Sequence, residues 1–129
     1  MAQYSSRVVF RCSLKRVWDI ITGMNDQRWR TDLMHSSVIS QDQFLEVSLD
    51  GMRTIGTITN WKTYHFFEYE YENENVYGHR YITFREEDGL TVVEIEEEAD
   101  AKKLTARPLL QINMKKAHQR YMDDLRRII

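Results

Sequence analysis

Between Pro108 and Ile129 apolar residues return at a helical interval: Leu110, Met114, Ala117, Tyr121, Leu125 and Ile128. Steps of four and three put them on one stripe of an α-helix, with Gln111, Lys115, Lys116, Gln119, Arg120, Asp123 and Arg127 on the other side. A helix with one wet face has to bury the other. At the α-helical rise such a segment spans roughly 33 Å, about the width of a small domain, so its natural partner is a whole sheet.

The rest of the chain supplies that sheet. Arg7-Val8-Val9-Phe10-Arg11-Cys12 is rich in β-formers and predicts a first strand over 3–12. Ser13 is a candidate N-cap, and Leu14, Val17, Trp18 and Ile21 follow at helical spacing up to Gly23, giving a short helix over 14–22. A second short helix is expected from Asp26 to Leu33, carrying Trp29. From Met34 onward the pattern is that of strands, near 34–41, 43–49, 53–62, 64–73, 77–86 and 90–99. Asp50-Gly51, Asn73-Glu74-Asn75 and Asp88-Gly89 punctuate them as turns. In the fourth of these strands Phe67, Tyr69 and Tyr71 share one face and Glu68, Glu70 and Glu72 the other. Short turns between successive strands imply an antiparallel meander.

Composition bounds the function. With 129 residues, 42% of them apolar, the chain reads as one domain over 1–129 with enough material for a core. No apolar run reaches membrane-spanning length, and Met1 to Arg7 lacks the apolar core of a secretion signal, so a soluble, cytoplasmic protein without stable membrane insertion is expected. The lone Cys12 allows no internal disulfide. From Glu68 to Glu98 eleven acidic residues face two arginines, Arg80 and Arg85. That excess disfavours nucleic acid as a partner of this surface and fits a solvated outer sheet face.

The order of elements resembles the helix-grip fold of the START-like (SRPBCC) superfamily, which includes polyketide cyclases, pollen-allergen-type carriers and lipid-transfer domains. The residues that carry the resemblance are Val17-Trp18-Asp19-Ile20-Ile21, Arg28-Trp29-Arg30, the Tyr69 to Gly78 pair of strands, Gly89-Leu90-Thr91-Val92-Val93 and the closing amphipathic helix. It implies an α+β fold of order β-α-α-β6-α, a seven-stranded antiparallel sheet curved around the long C-terminal helix. It also implies a cavity between sheet and helix for a hydrophobic or amphipathic small molecule. The inward residues are heavy in aromatics, which would make that cavity small or filled.

Candidate ligand-contacting residues are Trp29, Trp61, His65, Phe67, Tyr69, His79, Tyr81, Met114, His118 and Tyr121. His65 and His79 share the odd-numbered alternation of Phe67, Tyr69 and Tyr81. They read either as polar points in an apolar cavity, able to orient a ligand or move a proton, or as ordinary hydrogen-bonded or exposed histidines. His118 borders the helix stripe. Most of the aromatics also read as core, although a buried tyrosine hydroxyl can serve a ligand carbonyl. Glu97 alone of Glu96-Glu97-Glu98 falls on the side of Val93 and Ile95. No pair of histidines has zinc-binding spacing, and no phosphate loop, dinucleotide fingerprint or nucleophile elbow occurs, so no metal or cofactor is expected. The basic helix face, Lys115, Lys116, Arg120, Arg126 and Arg127, suits an acidic partner or simply solvent.

Three functions follow in order: a binder or carrier of a hydrophobic small molecule, a cyclase or dehydratase-like enzyme using a pocket His, Tyr or Glu, and a co-chaperone-like interaction module. Ligand identity, catalysis and oligomeric state are beyond the sequence.

Overall fold

Alternating strands and the terminal amphipathic helix resolve, in a computed structural model describing residues 1–129, into an antiparallel sheet with one long helix against its inner face. The elements are β1 (Ala2–Phe10), α1 (Leu14–Thr22), β2 (Leu33–Val38), β3 (Gln43–Ser48), β4 (Arg53–Lys62), β5 (Phe66–Glu72), β6 (Val76–Glu87), β7 (Leu90–Ala101) and α2 (Arg107–Ile128). The seven strands lie in the order β1-β7-β6-β5-β4-β3-β2, so only β1 leaves its sequence neighbour, to pair with β7. Two-residue turn chemistry fixes the last hairpin: Asp88 and Gly89 both have positive φ, at 53° and 79°, as a type I′ turn requires.

The core lies where the sheet, α1 and α2 meet. Val8, Phe10, Phe44, Phe67, Ile82, Phe84, Val93 and Ile95 point inward from the strands onto Val17, Trp18 and Ile21 of α1 and Tyr121, Met122 and Leu125 of α2. Ser13 caps α1, its hydroxyl accepting from the Arg16 N–H at 3.2 Å.

Three expectations need correction. The second short helix, placed over 26–33, does not form, and residues 24–32 run as consecutive turns. Asp26 draws the Arg28 N–H into a local side-chain bond that competes with helix, and the buried Gln27 Nε2 donates to the Gly23 and Ile20 carbonyls at 2.9 and 3.3 Å, capping α1. The buried stripe of α2 is also turned from the predicted one. Ala117 and Ile128 are exposed, while His118, Met122 and Asp124 are buried, because polar partners on β1, β7 and the 24–32 turns receive His118 and Asp124. Finally, His79 and Tyr81 lie on the outer face. Three turn residues, Asn73 to Asn75, pair Tyr71 with Gly78 and Tyr69 with Arg80, so odd positions of β5 share the inner face with even positions of β6.

Candidate functional site

Arg80 follows from that register. It sits on β6 in step with the inward Ile82 and Phe84, and its cross-strand neighbour on β7 is Glu97. Nε and Nη2 of Arg80 both donate to Glu97 Oε1, at 3.0 and 2.7 Å. His118 Nε2 donates to the same oxygen at 2.7 Å, and the Tyr71 hydroxyl donates to Oε2. Four donors converge on one carboxylate, three on Oε1 and one on Oε2. Burial works to raise the Glu97 carboxyl, but the Arg80 charge and the bonds from His118 and Tyr71 outweigh it and hold the group down at about 2. Burial, together with the Glu97 charge, pushes the Tyr71 hydroxyl far above its usual range.

Small residues make this reach possible. The Tyr71 ring lies across Gly78, where an added β-carbon would come within 2.5 Å of it, and Ala99 follows on β7. His118, 1% exposed, is fixed on its other side by Ser6 of β1, whose Oγ stands 2.8 Å from Nδ1, and the Tyr4 ring meets the imidazole edge-on at 4.9 Å.

A second buried guanidinium stands nearby. Arg30, from the turns after α1, donates to Asp32 through Nε and Nη2 at 3.2 and 2.8 Å and to Glu46 through Nη1. The Tyr121 ring of α2 lies between the two cations, 5.3 Å from the Arg30 guanidinium and 5.5 Å from that of Arg80, and Tyr69 lies 6.0 Å from Arg80. Thr31 ties this segment to the helix, its N–H donating to Asp124 at 2.7 Å. The two guanidiniums face three carboxylates, so neither cation is left free for an anion.

One buried polar group is left without a partner. The Trp29 indole N–H is buried with no acceptor. Its ring meets Tyr121 edge-on at 5.1 Å. Tyr69 and Tyr121 are buried side chains, and burial is the largest cause that raises the Tyr69 hydroxyl to about 12. On its other side Trp29 lines a cleft of about 630 Å³, bounded by Arg16 and Ile20 of α1, the Asn25 to Arg28 turns and Ile128 at the end of α2. A comparable groove of about 600 Å³ opens on the acidic outer face around Tyr77, His79 and Glu98. The space directly beneath α2 is occupied by the Arg80, Glu97 and His118 network and by core aromatics.

The residues singled out in the sequence therefore divide. Trp29, Phe67, Tyr69, Met114, His118 and Tyr121 sit on the inner side, with Phe67 in the main core and Met114 packed by Ala2 and Ala99. Trp61 is 55% exposed at the far end of β4, and His65 is exposed just before β5. His79 bonds Glu68 at 2.6 Å on the outer face, where Tyr81 packs on Phe66. Arg30 and Arg80 escaped the sequence reading, because an arginine in a short polar segment or on a strand reads as solvent-facing. The signal for Arg80 was its alternation with Ile82 and Phe84.

No protein-family model matches the sequence, and no curated protein matches it. Solved structures match in fold. A START superfamily protein from Mycobacterium smegmatis superposes with a TM-score of 0.87 at 8% identity, over 97% of this chain and 94% of that one. The protein XoxI from Bacillus cereus gives 0.78 at 19%, over 98% and 92%. CalU16 from Micromonospora echinospora gives 0.65 at 12%, over 95% and 75%. The chain has the START-like helix-grip fold.

Proposed function

We propose that residues 1–129 act as one START-like domain that binds a small, uncharged amphipathic molecule at the Trp29 end of the grip. The observation that carries this reading is the Trp29 indole N–H, buried with no acceptor in a residue that lines a cleft. A buried donor without an acceptor is costly, and a ligand oxygen would remove that cost. The indole is a neutral donor, and the charges lining the cleft balance, Arg16 and Arg28 against Asp19 and Asp26, so the ligand oxygen that fits is a carbonyl or hydroxyl rather than a carboxylate. Trp29 and Ile20 supply apolar contact for the rest of the molecule.

The test is native mass spectrometry of the purified protein, with thermal shifts across a panel of lipids and aromatic metabolites. A retained or stabilising neutral compound supports the reading; an empty protein unmoved by the panel contradicts it.

A cyclase-like enzyme would need a pocket carboxylate near a tyrosine, and Tyr71 with Glu97 has that geometry. The carboxylate takes four donors and is held at about 2, which makes it a weak base at neutral pH. The reading supported second is an interaction module, favoured by the side chains that fill the space beneath α2.

A further inference from the structure

The first two turns of α2 carry apolar residues where this chain has nothing to cover them. Leu109 and Ile112 are 58% and 52% exposed, and Leu104, just before the helix, is 72% exposed. On a helical projection Leu109 and Ile112 point directly away from the packed stripe of Met114, His118, Tyr121 and Leu125. Further along α2 the outward positions are polar: Lys116, Gln119, Arg120 and Asp123. The aliphatic cluster is therefore confined to one end of the helix.

Charge singles out the same end. Residues 101–122 hold six lysines and arginines and no acidic residue, in a chain whose net charge is −2. Lys102 pairs with Glu72, and Arg120 donates to the Thr31 carbonyl. The other four, Lys103, Arg107, Lys115 and Lys116, are exposed with no acidic partner. The acidic strand faces lie on the opposite side of the sheet, so the molecule presents one negative face and one positive, oily end.

We propose that this end of α2 docks reversibly on an anionic membrane surface. Three aliphatic side chains inside a group of unpaired cations match the headgroup boundary of a bilayer, where the aliphatics enter the acyl edge and the cations meet lipid phosphates. Nucleic acid or an acidic protein would satisfy the cations but would leave Leu104, Leu109 and Ile112 with no role. No helix of the protein is long and apolar enough to cross a membrane, so the contact is peripheral. The proposal stands independently of the ligand reading.

Flotation of the intact protein with phosphatidylcholine vesicles, with and without phosphatidylglycerol, tests it. The expected result is binding only to the phosphatidylglycerol vesicles, released by high salt. Leu109→Ser with Ile112→Ser, and separately Lys115→Glu with Lys116→Glu, should each weaken it about tenfold or more without lowering the unfolding temperature, since all four side chains are exposed. No binding, equal binding to both vesicle types, or full binding by either double variant would overturn the proposal. So would equally tight capture of polyglutamate that is insensitive to the Leu109 and Ile112 changes, which would identify an acidic protein as the partner.

Discussion

Arg80 and Glu97 face each other on adjacent inner strand positions, and two nitrogens of the arginine converge on a single oxygen of the glutamate, at 3.0 and 2.7 Å. Each ion is out of water, so removing one leaves the other buried and unpaired. Arg80→Leu or Glu97→Leu should each destabilise the protein by about 3–5 kcal/mol. The double variant should lose much less than the two together. Urea unfolding of the three variants measures this, and additive losses would mean that the two side chains do not act as a pair.

The same carboxylate sets the acid side of the stability profile. Its folded value of about 2 lies below the ordinary 4.5, so its contribution is complete above pH 4.5 and is lost as pH falls toward 2. Glu97→Gln should flatten the stability curve in that window. On the alkaline side Tyr69, raised from 10.0 to about 12, contributes stability that is present below pH 10 and lost as pH rises through 12. Tyr69→Phe should lessen the alkaline slope, with Tyr71 and Tyr121 keeping their own share of it, while leaving the acid limb intact, which urea titrations at stepped pH would show.

Two glycines are positioned for the rings that cross them. A β-carbon on Gly56 would lie 2.1 Å from the Phe44 ring, and one on Gly78 would lie 2.5 Å from that of Tyr71. Gly56→Ala and Gly78→Ala should each cost about 1–3 kcal/mol or more. Tyr71→Ala in the Gly78→Ala background should recover part of that cost, since it removes the clashing ring. Thermal unfolding of the single and double variants checks the coupling.

Gln27 tests the replacement of the expected helix by turns. Its amide holds the carbonyls at the end of α1, so Gln27→Ala should cost about 1–3 kcal/mol through the lost buried hydrogen bonds, although the Gly23 carbonyl keeps the Asp26 N–H. It should also loosen Trp29, read as a red shift in its fluorescence in a variant carrying Trp18→Phe and Trp61→Phe. An unchanged emission would mean that Gln27 does not order this segment.

Most of the architecture was legible because it rests on periodicity. Alternation located all seven strands, and the step of three and four residues located α2. The failures depended on pairings that periodicity does not carry, some local, as with Asp26 and Gln27 after α1, and some distant in sequence. The parity of β6 is set by a three-residue connection, and a count of turn residues cannot be made from strand ends that are uncertain by one. His118 displaced Ala117 from the buried stripe because Ser6 and Glu97 were there to receive it. Trp29, Tyr69 and Tyr121 were visible as candidates in the sequence. That the Trp29 N–H is left unpartnered could only be seen in the folded chain.

The most direct test of the ligand reading follows the indole N–H signals of the three tryptophans by NMR while Prodan, a neutral naphthalene ketone, is added. The account predicts that the Trp29 signal, assigned by its loss in Trp29→Phe, moves downfield as its proton finds an acceptor, with Trp61 unmoved. A Trp29 signal that stays in place, or a shift confined to the exposed Trp61, would contradict it.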